Sequence, residues 1–287
     1  MRSYASFFEN RKYNGGLKKG IITFILLAGS FLILIPLWWM ISTSLKTPEE
    51  IAAYPPTFFP KEFKFSNYVE AWQTAPFGRW TLNTIFIAVC GTIGSVLVNS
   101  LVAYSFAKIR FKGKDALFVL VLSTMLIPGF VTMVPQYILF AKLGWVNTYL
   151  PLIVPAFLGS AFFIFLLRQF MLGIPNELSE AAVLDGASHL QIWWHIMLPL
   201  TKPALITVAI FSFTGAWNDL LGPLLYINDE KNYTLQIGLQ TFKGTVQTQW
   251  HYLMSMSVTV LLPVVLIFFF FQRYFIEGSN LASGSKG

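Results

Sequence analysis

Leu82-Asn-Thr-Ile-Phe-Ile-Ala-Val-Cys-Gly-Thr-Ile-Gly-Ser-Val-Leu-Val-Asn-Ser-Leu-Val-Ala-Tyr-Ser-Phe-Ala107 contains no charged side chain. As a helix it is long enough to cross a hydrocarbon core of ~30 Å, which takes about 20 residues. Outer-membrane strands are ~10 residues of alternating polarity, and this stretch does not alternate. Four more windows are equally free of charge: Ile21–Ser42, Ala116–Ala141, Leu143–Leu167 and Tyr252–Gln272. A sixth, Pro203–Asn228, holds one acid, Asp219. The expected fold is therefore all-α, a polytopic membrane protein with six transmembrane helices.

Composition agrees with that reading. Of 287 residues, 55% are hydrophobic and 11% charged, against about 45–50% and about 25% in an ordinary soluble domain. The lone cysteine, Cys90, lies inside the second window, so no intrachain disulfide can form. The first window follows a basic stretch, as a signal peptide would. Its length exceeds a typical signal core and Trp38-Trp39-Met40 is no small-residue cleavage site, so an uncleaved first helix is expected.

The charges give the orientation. With six spans, one side holds the N-terminal segment, the loops after spans two and four, and the C-terminal tail. That side carries Arg2, Arg11, Lys12, Lys18, Lys19, Lys108, Arg110, Lys112, Lys114, Arg168, Lys202, Arg273 and Lys286, and the net charge of +7 resides there. The positive-inside rule then places both termini in the cytoplasm. It also accounts for the Lys108–Lys114 cluster by contact with anionic membrane lipid, with no nucleic-acid partner. The domain reading is a cytoplasmic segment over 1–20, a six-helix transmembrane bundle over 21–275 with spans 21–42, 82–107, 116–141, 143–167, 203–228 and 252–272, and a cytoplasmic tail over 276–287. The outer segments Thr43–Thr81 and Asp229–His251 are too short for a separate enzyme domain.

Prolines interrupt the spans at Pro36, Pro128, Pro135, Pro151, Pro155 and Pro263. Each removes a backbone hydrogen bond and can kink its helix. Around Ile127-Pro128-Gly129 and Pro135-Gln136, the freed carbonyls either face the bundle interior or mark simple curvature. The polar span residues Asn83, Asn99, Gln136, Asn218 and Asp219, with Trp217, are the candidate substrate path. Amides and hydroxyls suit a neutral hydroxylated solute, and aromatics can stack on sugar rings. The alternative is interhelical hydrogen bonding. No buried charge relay of the kind used by ion-coupled carriers is present.

Catalytic signals are poor. His189 and His195 stand six apart, which is no zinc-helix spacing, so no metal site is expected. No phosphate-binding GxxxxGK[ST] loop or GxSxG elbow occurs, so no catalytic residues and no cofactor are assigned to this chain. An intramembrane enzyme built on His189, His195 or Asp185 and a secondary carrier or channel are the competing readings.

The most informative segment is the cytoplasmic loop 174–202, Ile-Pro-Asn-Glu-Leu-Ser-Glu180-Ala-Ala-Val-Leu-Asp185-Gly-Ala-Ser-His-Leu-Gln-Ile-Trp-Trp-His-Ile-Met-Leu-Pro199-Leu-Thr-Lys. Asn176 or Ser179 is the expected helix cap, with acids in the first turn. Gly186 is expected to turn the chain between two short helices, and the small residues Ala181, Ala182 and Ala187 to admit a close partner. The run Glu180-Ala-Ala-x-x-Asp185-Gly-Ala-x8-Ile196-x-Leu198-Pro199 resembles the EAA loop of ABC-importer permeases. Pro36-Leu-Trp-Trp-Met, Ala103-Tyr-Ser-Phe-Ala-Lys, Leu143-Gly-Trp-Val-Asn-Thr148 and Trp217-Asn-Asp219-x3-Pro223 are similar to the carbohydrate-uptake branch, in particular to the second permease of maltose-type systems.

That resemblance implies a sugar-importer permease subunit of the bacterial inner membrane, forming half of a pathway. It implies a coupling helix, with Glu180, Ala181, Ala182, Asp185, Gly186 and Ala187 seated on an ATPase. It further implies a second permease, two ATPase subunits holding ATP and Mg, an extracytoplasmic solute-binding protein facing the loop around Asn228–Gln249, and a saccharide. The tail, with Gly278, Gly284 and Lys286, is similar to one that reaches between ATPase subunits; by composition alone it reads as a flexible end.

Overall fold

The computed structural model describes residues 15–244 and 248–282. Among them there is no strand, only an isolated bridge between Lys243 and Thr248. Four segments are long and apolar enough to cross a membrane: Lys19–Ser44, Phe77–Lys108, Leu150–Leu172 and Trp250–Gln272. Two bent pairs raise the number to six if each is one span. They are Lys114–Leu126 with Gly129–Lys142, bent by 96°, and His189–Leu200 with Lys202–Trp217, bent by 84°. The main helices are α1 Gly15–Ser44, α2 Phe77–Lys108, α3 Lys114–Ser123, α4 Gly129–Lys142, α5 Ala161–Leu172, α6 Glu177–Leu184, α7 His189–Ile192, α8 Lys202–Trp217, α9 Leu221–Tyr226 and α10 Trp250–Ala282.

The apolar windows located the helices, and local chemistry moved their ends. The expected third span breaks at Ile127 and Pro128, both extended, so proline makes a corner there rather than a curve. Residues 143–149, expected to begin the fourth span, form a turn with Gly144 and Asn147 at positive φ, and the helical segment starts at Leu150. The same segment runs past Arg168 to Leu172, because the guanidinium has partners: Nε donates to Phe106 O at 3.1 Å and the group lies 4.1 Å over the Phe118 ring. The expected fifth span, 203–228, is corrected: α8 stops at Trp217 with Asn218 as its cap, and α9 is a separate short helix. The tail is also corrected in part. Helix α10 continues through Gly278 to Ala282, since one glycine costs a helix only about 1 kcal/mol. Gly284 and Lys286 lie outside the described residues.

Two compact units emerge, residues 15–71 with 242–258 and residues 72–241 with 259–282. In the first, the end of α1 is bound by polar side chains. Asn67 Nδ2 donates to Ser44 O and Lys46 O, both at 2.9 Å, and Ser255 Oγ donates to Ser44 O at 3.0 Å. The Lys46 ammonium donates to Thr57 O and lies 4.8 Å from the Trp39 ring centroid.

In the second unit α2 is the central column, with α5 and α8 packed along it. Ala103, Tyr104 and Ala107 of α2 meet Leu166, Leu167 and Met171 of α5, Ala204 and Val208 of α8, and Ile192, Trp193 and Met197 of the loop segment. Small residues permit that approach, as expected where helices meet in a membrane. At Gly94 a Cβ would sit 2.4 Å from the Phe157 ring.

Candidate functional site

The EAA-like segment is a helix, a turn and a second helix mounted on the end of α2. Helix α6 carries Glu177 and Glu180 in its first turn, where they complement the exposed N–H groups. Asn176 holds the cap position without a capping hydrogen bond, and its Oδ1 accepts instead from Lys108 Nζ at 2.8 Å. The same ammonium donates to Ile174 O at 2.6 Å, so Lys108 pins the start of the segment to α2. Gly186 turns the chain with φ of 84°, in the left-handed region that favours glycine. Ser188 then begins α7 with a capping box. Its Oγ accepts from Gln191 N, and Gln191 Oε1 accepts from Ser188 N at 2.8 Å. A second tie to α2 follows, Tyr104 Oη to His189 Nδ1 at 3.2 Å.

The six expected coupling residues divide by exposure. Glu180, Ala181, Asp185 and Gly186 are exposed, whereas Ala182 and Ala187 are half-buried and pack against the core. Alongside them stand Leu178, Val183, Leu184 and Leu190, with Leu184 88% exposed. Isolated surface leucines are ordinary, but four apolar residues on an acid-tipped projection form a patch suited to a protein partner. Two openings flank it. One of about 350 Å³ is lined by Asp185, Gly186, Gln191 and His195, and one of about 600 Å³ by Tyr104, Lys108, Arg110, Glu180 and His189. Of the two tryptophans, Trp193 is buried and Trp194 is 52% exposed.

The candidate path residues do not form one cluster. Asn99 is fully buried in α2, with Nδ2 donating to Ser95 O at 2.6 Å and Oδ1 accepting from Ser160 N at 2.6 Å, at the start of α5. Asn83 Nδ2 donates to Lys231 O at 3.0 Å and Tyr233 O at 2.9 Å. Trp217 is buried, with Nε1 donating to Val260 O at 3.1 Å. Asn218 is exposed and its Nδ2 donates to Thr214 O at 3.0 Å. Gln136 is exposed on α4. Asp219 is half-buried and accepts from Gly222 N at 3.1 Å.

The opposite end of α2 holds the loop 228–235, and sequence reasoning missed its organiser, Asn147. The Asn147 Oδ1 accepts from Asn228 N at 3.1 Å and Asp229 N at 3.0 Å, its Nδ2 donates to Asp229 Oδ2 at 2.8 Å, and its N–H donates to Tyr226 O at 2.7 Å. The Asn147 Nδ2 donation, with the Lys231 ammonium 3.5 Å away, holds the Asp229 carboxyl below the usual carboxylate range. Trp80 Nε1 adds a bond to Glu230 O at 2.8 Å and Thr84 Oγ1 accepts from Leu235 N at 2.9 Å. An asparagine three residues after Gly144 was the available signal, since asparagine tolerates left-handed backbone.

Residues 99–278 match the model of the family described as binding-protein-dependent transport system inner membrane component. The chain is 35% identical over 261 residues to the arabinooligosaccharides transport system permease protein AraQ of Halalkalibacterium halodurans, covering 90% of this chain and 93% of that one. It is 34% identical to the melibiose/raffinose/stachyose import permease protein MelC of Bacillus subtilis, covering 88% and 90%. In fold it is similar, with a TM-score of 0.81 at 24% identity over 91% of this chain and 98% of that one, to a chain in the crystal structure of a bacterial ABC transporter that imports the acidic polysaccharide alginate.

Proposed function

The chain belongs to the family of binding-protein-dependent transport system inner membrane components, and from that premise we propose that it is one of two permease subunits of an ATP-driven saccharide importer. The solute is an oligosaccharide, in keeping with the names of the relatives. A second permease supplies the other half of the pathway. Two ATPase subunits hold ATP and Mg, and an extracytoplasmic binding protein delivers the solute to the end of the bundle that carries loop 228–235. Both termini lie in the cytoplasm, and the Lys108–Lys114 cluster rests on anionic lipid.

The observation that carries the reading is the coupling segment. An exposed, acid-tipped segment with Glu180, Ala181, Asp185 and Gly186 outward is fastened to the central helix on one side by Lys108 and on the other by Tyr104. Movement imposed on that segment by an ATPase would pass to α2, and from there to α5 and α8. Alternating access would follow from displacement of this bundle against its partner. The C-terminal tail, including Gly278, Gly284 and Lys286, would reach the same ATPase.

Affinity purification of the tagged chain in mild detergent tests the reading. It should bring down an ATP-hydrolysing subunit, and the complex should take up saccharide only with ATP and binding protein. A chain that purifies alone and is active alone would contradict it.

A further inference from the structure

The chain that leaves α1 turns back along it. Ser42 Oγ donates to Phe58 O at 2.7 Å and Lys64 N donates to Leu45 O at 2.9 Å, so residues 57–64 return to the end of the helix. The return is held at both ends. Thr57 O accepts from the Lys46 ammonium, Thr57 Oγ1 donates to Glu50 Oε1 at 2.7 Å, and the same carboxylate oxygen accepts from Lys61 N at 3.0 Å. Between these ties Phe58 and Phe59 meet two tryptophans of α1. The ring centroids lie 5.8 Å apart for Phe58 and Trp39 and 5.2 Å apart for Phe59 and Trp38. None of the four rings is core: Phe58 is 63% exposed, Phe59 66%, Trp38 41% and Trp39 36%.

We propose that Phe58 and Phe59 form a wedge seated among the phospholipids, in the headgroup and glycerol layer at the end of α1 remote from the N-terminus, and that this wedge fixes the depth of the first span. The depth follows from the helix. Lys19 is the last charge before the apolar run of α1, and a core of ~30 Å takes about 20 helical residues, so the crossing ends at about Trp39. Tryptophan is enriched at that boundary. At ~1.5 Å per residue the two tryptophans lie about 8–9 Å inside Ser44, and the fold-back brings Phe58 and Phe59 level with them. None of the most apolar eighteen residues of α1 is buried, so the aromatic surface continues the membrane-crossing one, and lipid is its occupant. Non-helical backbone is admitted at such depth only where its polar groups are satisfied. Here Pro55, Pro56 and Pro60 carry no N–H, and the carbonyls of Thr57 and Phe58 are both bonded. The exposed charges Lys61, Glu62 and Lys64 follow at once and mark the water side. The proposal needs α1 to cross the membrane and is independent of the solute carried.

The test uses the assembled transporter in liposomes of phosphatidylethanolamine and phosphatidylglycerol, on a Cys90→Ala background, with one nitroxide label at a time on Phe59→Cys, Ile33→Cys or Glu62→Cys. Ile33, 78% exposed on α1, is the reference inside the bilayer and Glu62 the reference in water. Collision of each label with oxygen, which partitions into lipid, is compared with collision with a water-soluble nickel chelate. The wedge predicts that oxygen dominates at Phe59, that the preference reverses at Glu62, and that the Phe59 label lies shallower than the Ile33 label. Phe58→Cys gives the same reading should Phe59→Cys fail to assemble. In the pair Phe58→Ser with Phe59→Ser, the Ile33 label should change depth. A Phe59 label that prefers nickel would overturn the proposal in favour of a water-facing strap, and one shielded from both reagents would overturn it in favour of a protein partner. An Ile33 depth unchanged in the double serine variant would overturn the anchoring role.

Discussion

The Tyr104 phenol oxygen and the His189 Nδ1 stand 3.2 Å apart, joining the central helix to the second half of the coupling segment. Tyr104 is 2% exposed and its ring belongs to the core, so the hydroxyl alone reaches out to the loop. Lys108, one helical turn further on, binds the first half. The segment is thus fastened on both sides of its Gly186 turn to one helix.

Tyr104→Phe keeps the ring and cuts the second tie. One neutral hydrogen bond is worth about 1 kcal/mol, which shifts an equilibrium roughly fivefold. Solute-stimulated ATP hydrolysis should fall by about that factor while the complex still assembles, as measured on purified transporter.

Lys108→Met removes charge-assisted bonds to Ile174 O and Asn176 Oδ1, each worth about 1.5–3 kcal/mol. Amide hydrogen exchange across 174–184 should accelerate about tenfold or more, with exchange in α5 unchanged. Uniform exchange in both would show that Lys108 is not the anchor.

Asn99→Leu leaves the Ser160 N–H without its acceptor where the fourth span is broken at Gly159 and Ser160. A buried unsatisfied donor costs about 1–3 kcal/mol, so the thermal midpoint in detergent should drop by several degrees. Asn83→Leu should instead loosen loop 228–235, seen as faster exchange at Lys231 and Tyr233, because its amide holds those carbonyls.

The Asp229 carboxyl sits below its ordinary value of 3.8 because Asn147 donates to its ionised form. Its stabilising effect is complete above the unfolded value and is lost as pH falls through the lower folded one. Exchange around Asp229 should be unchanged at pH 5 and quicken modestly only as pH falls below the ordinary carboxylate value, the rest of the loop staying held by Trp80, Thr84 and Asn83, and Asn147→Ala should shift that quickening upward in pH. Exchange rates across the loop measure both.

The long apolar helices were legible in the sequence because freedom from charge is a direct physical requirement for crossing lipid, whereas the 96° bend inside the third window was not. Nor were the helix ends, because caps and snorkelling contacts decide them. Arg168 could stay helical only because Phe106 and Phe118 receive it, and α8 stops at Trp217 where Asn218 turns back to bond Thr214. The coupling segment was legible as a motif, with Gly186 as its turn, but its attachment was not. Tyr104 lies 85 residues before His189, and Lys108 lies 66 and 68 residues before Ile174 and Asn176, and nothing in local spacing announces such contacts. Of the path candidates, Asn99 and Asn83 turn out to bond neighbouring backbone, which sequence could not separate from bonding a solute.

The coupling claim is tested most directly by Glu180→Lys, an exposed change at the first turn of α6 that disturbs no packing. Solute-stimulated ATP hydrolysis by the purified complex is predicted to collapse to the basal rate while the subunit inserts and folds. Hydrolysis that still responds fully to solute-loaded binding protein would contradict the account.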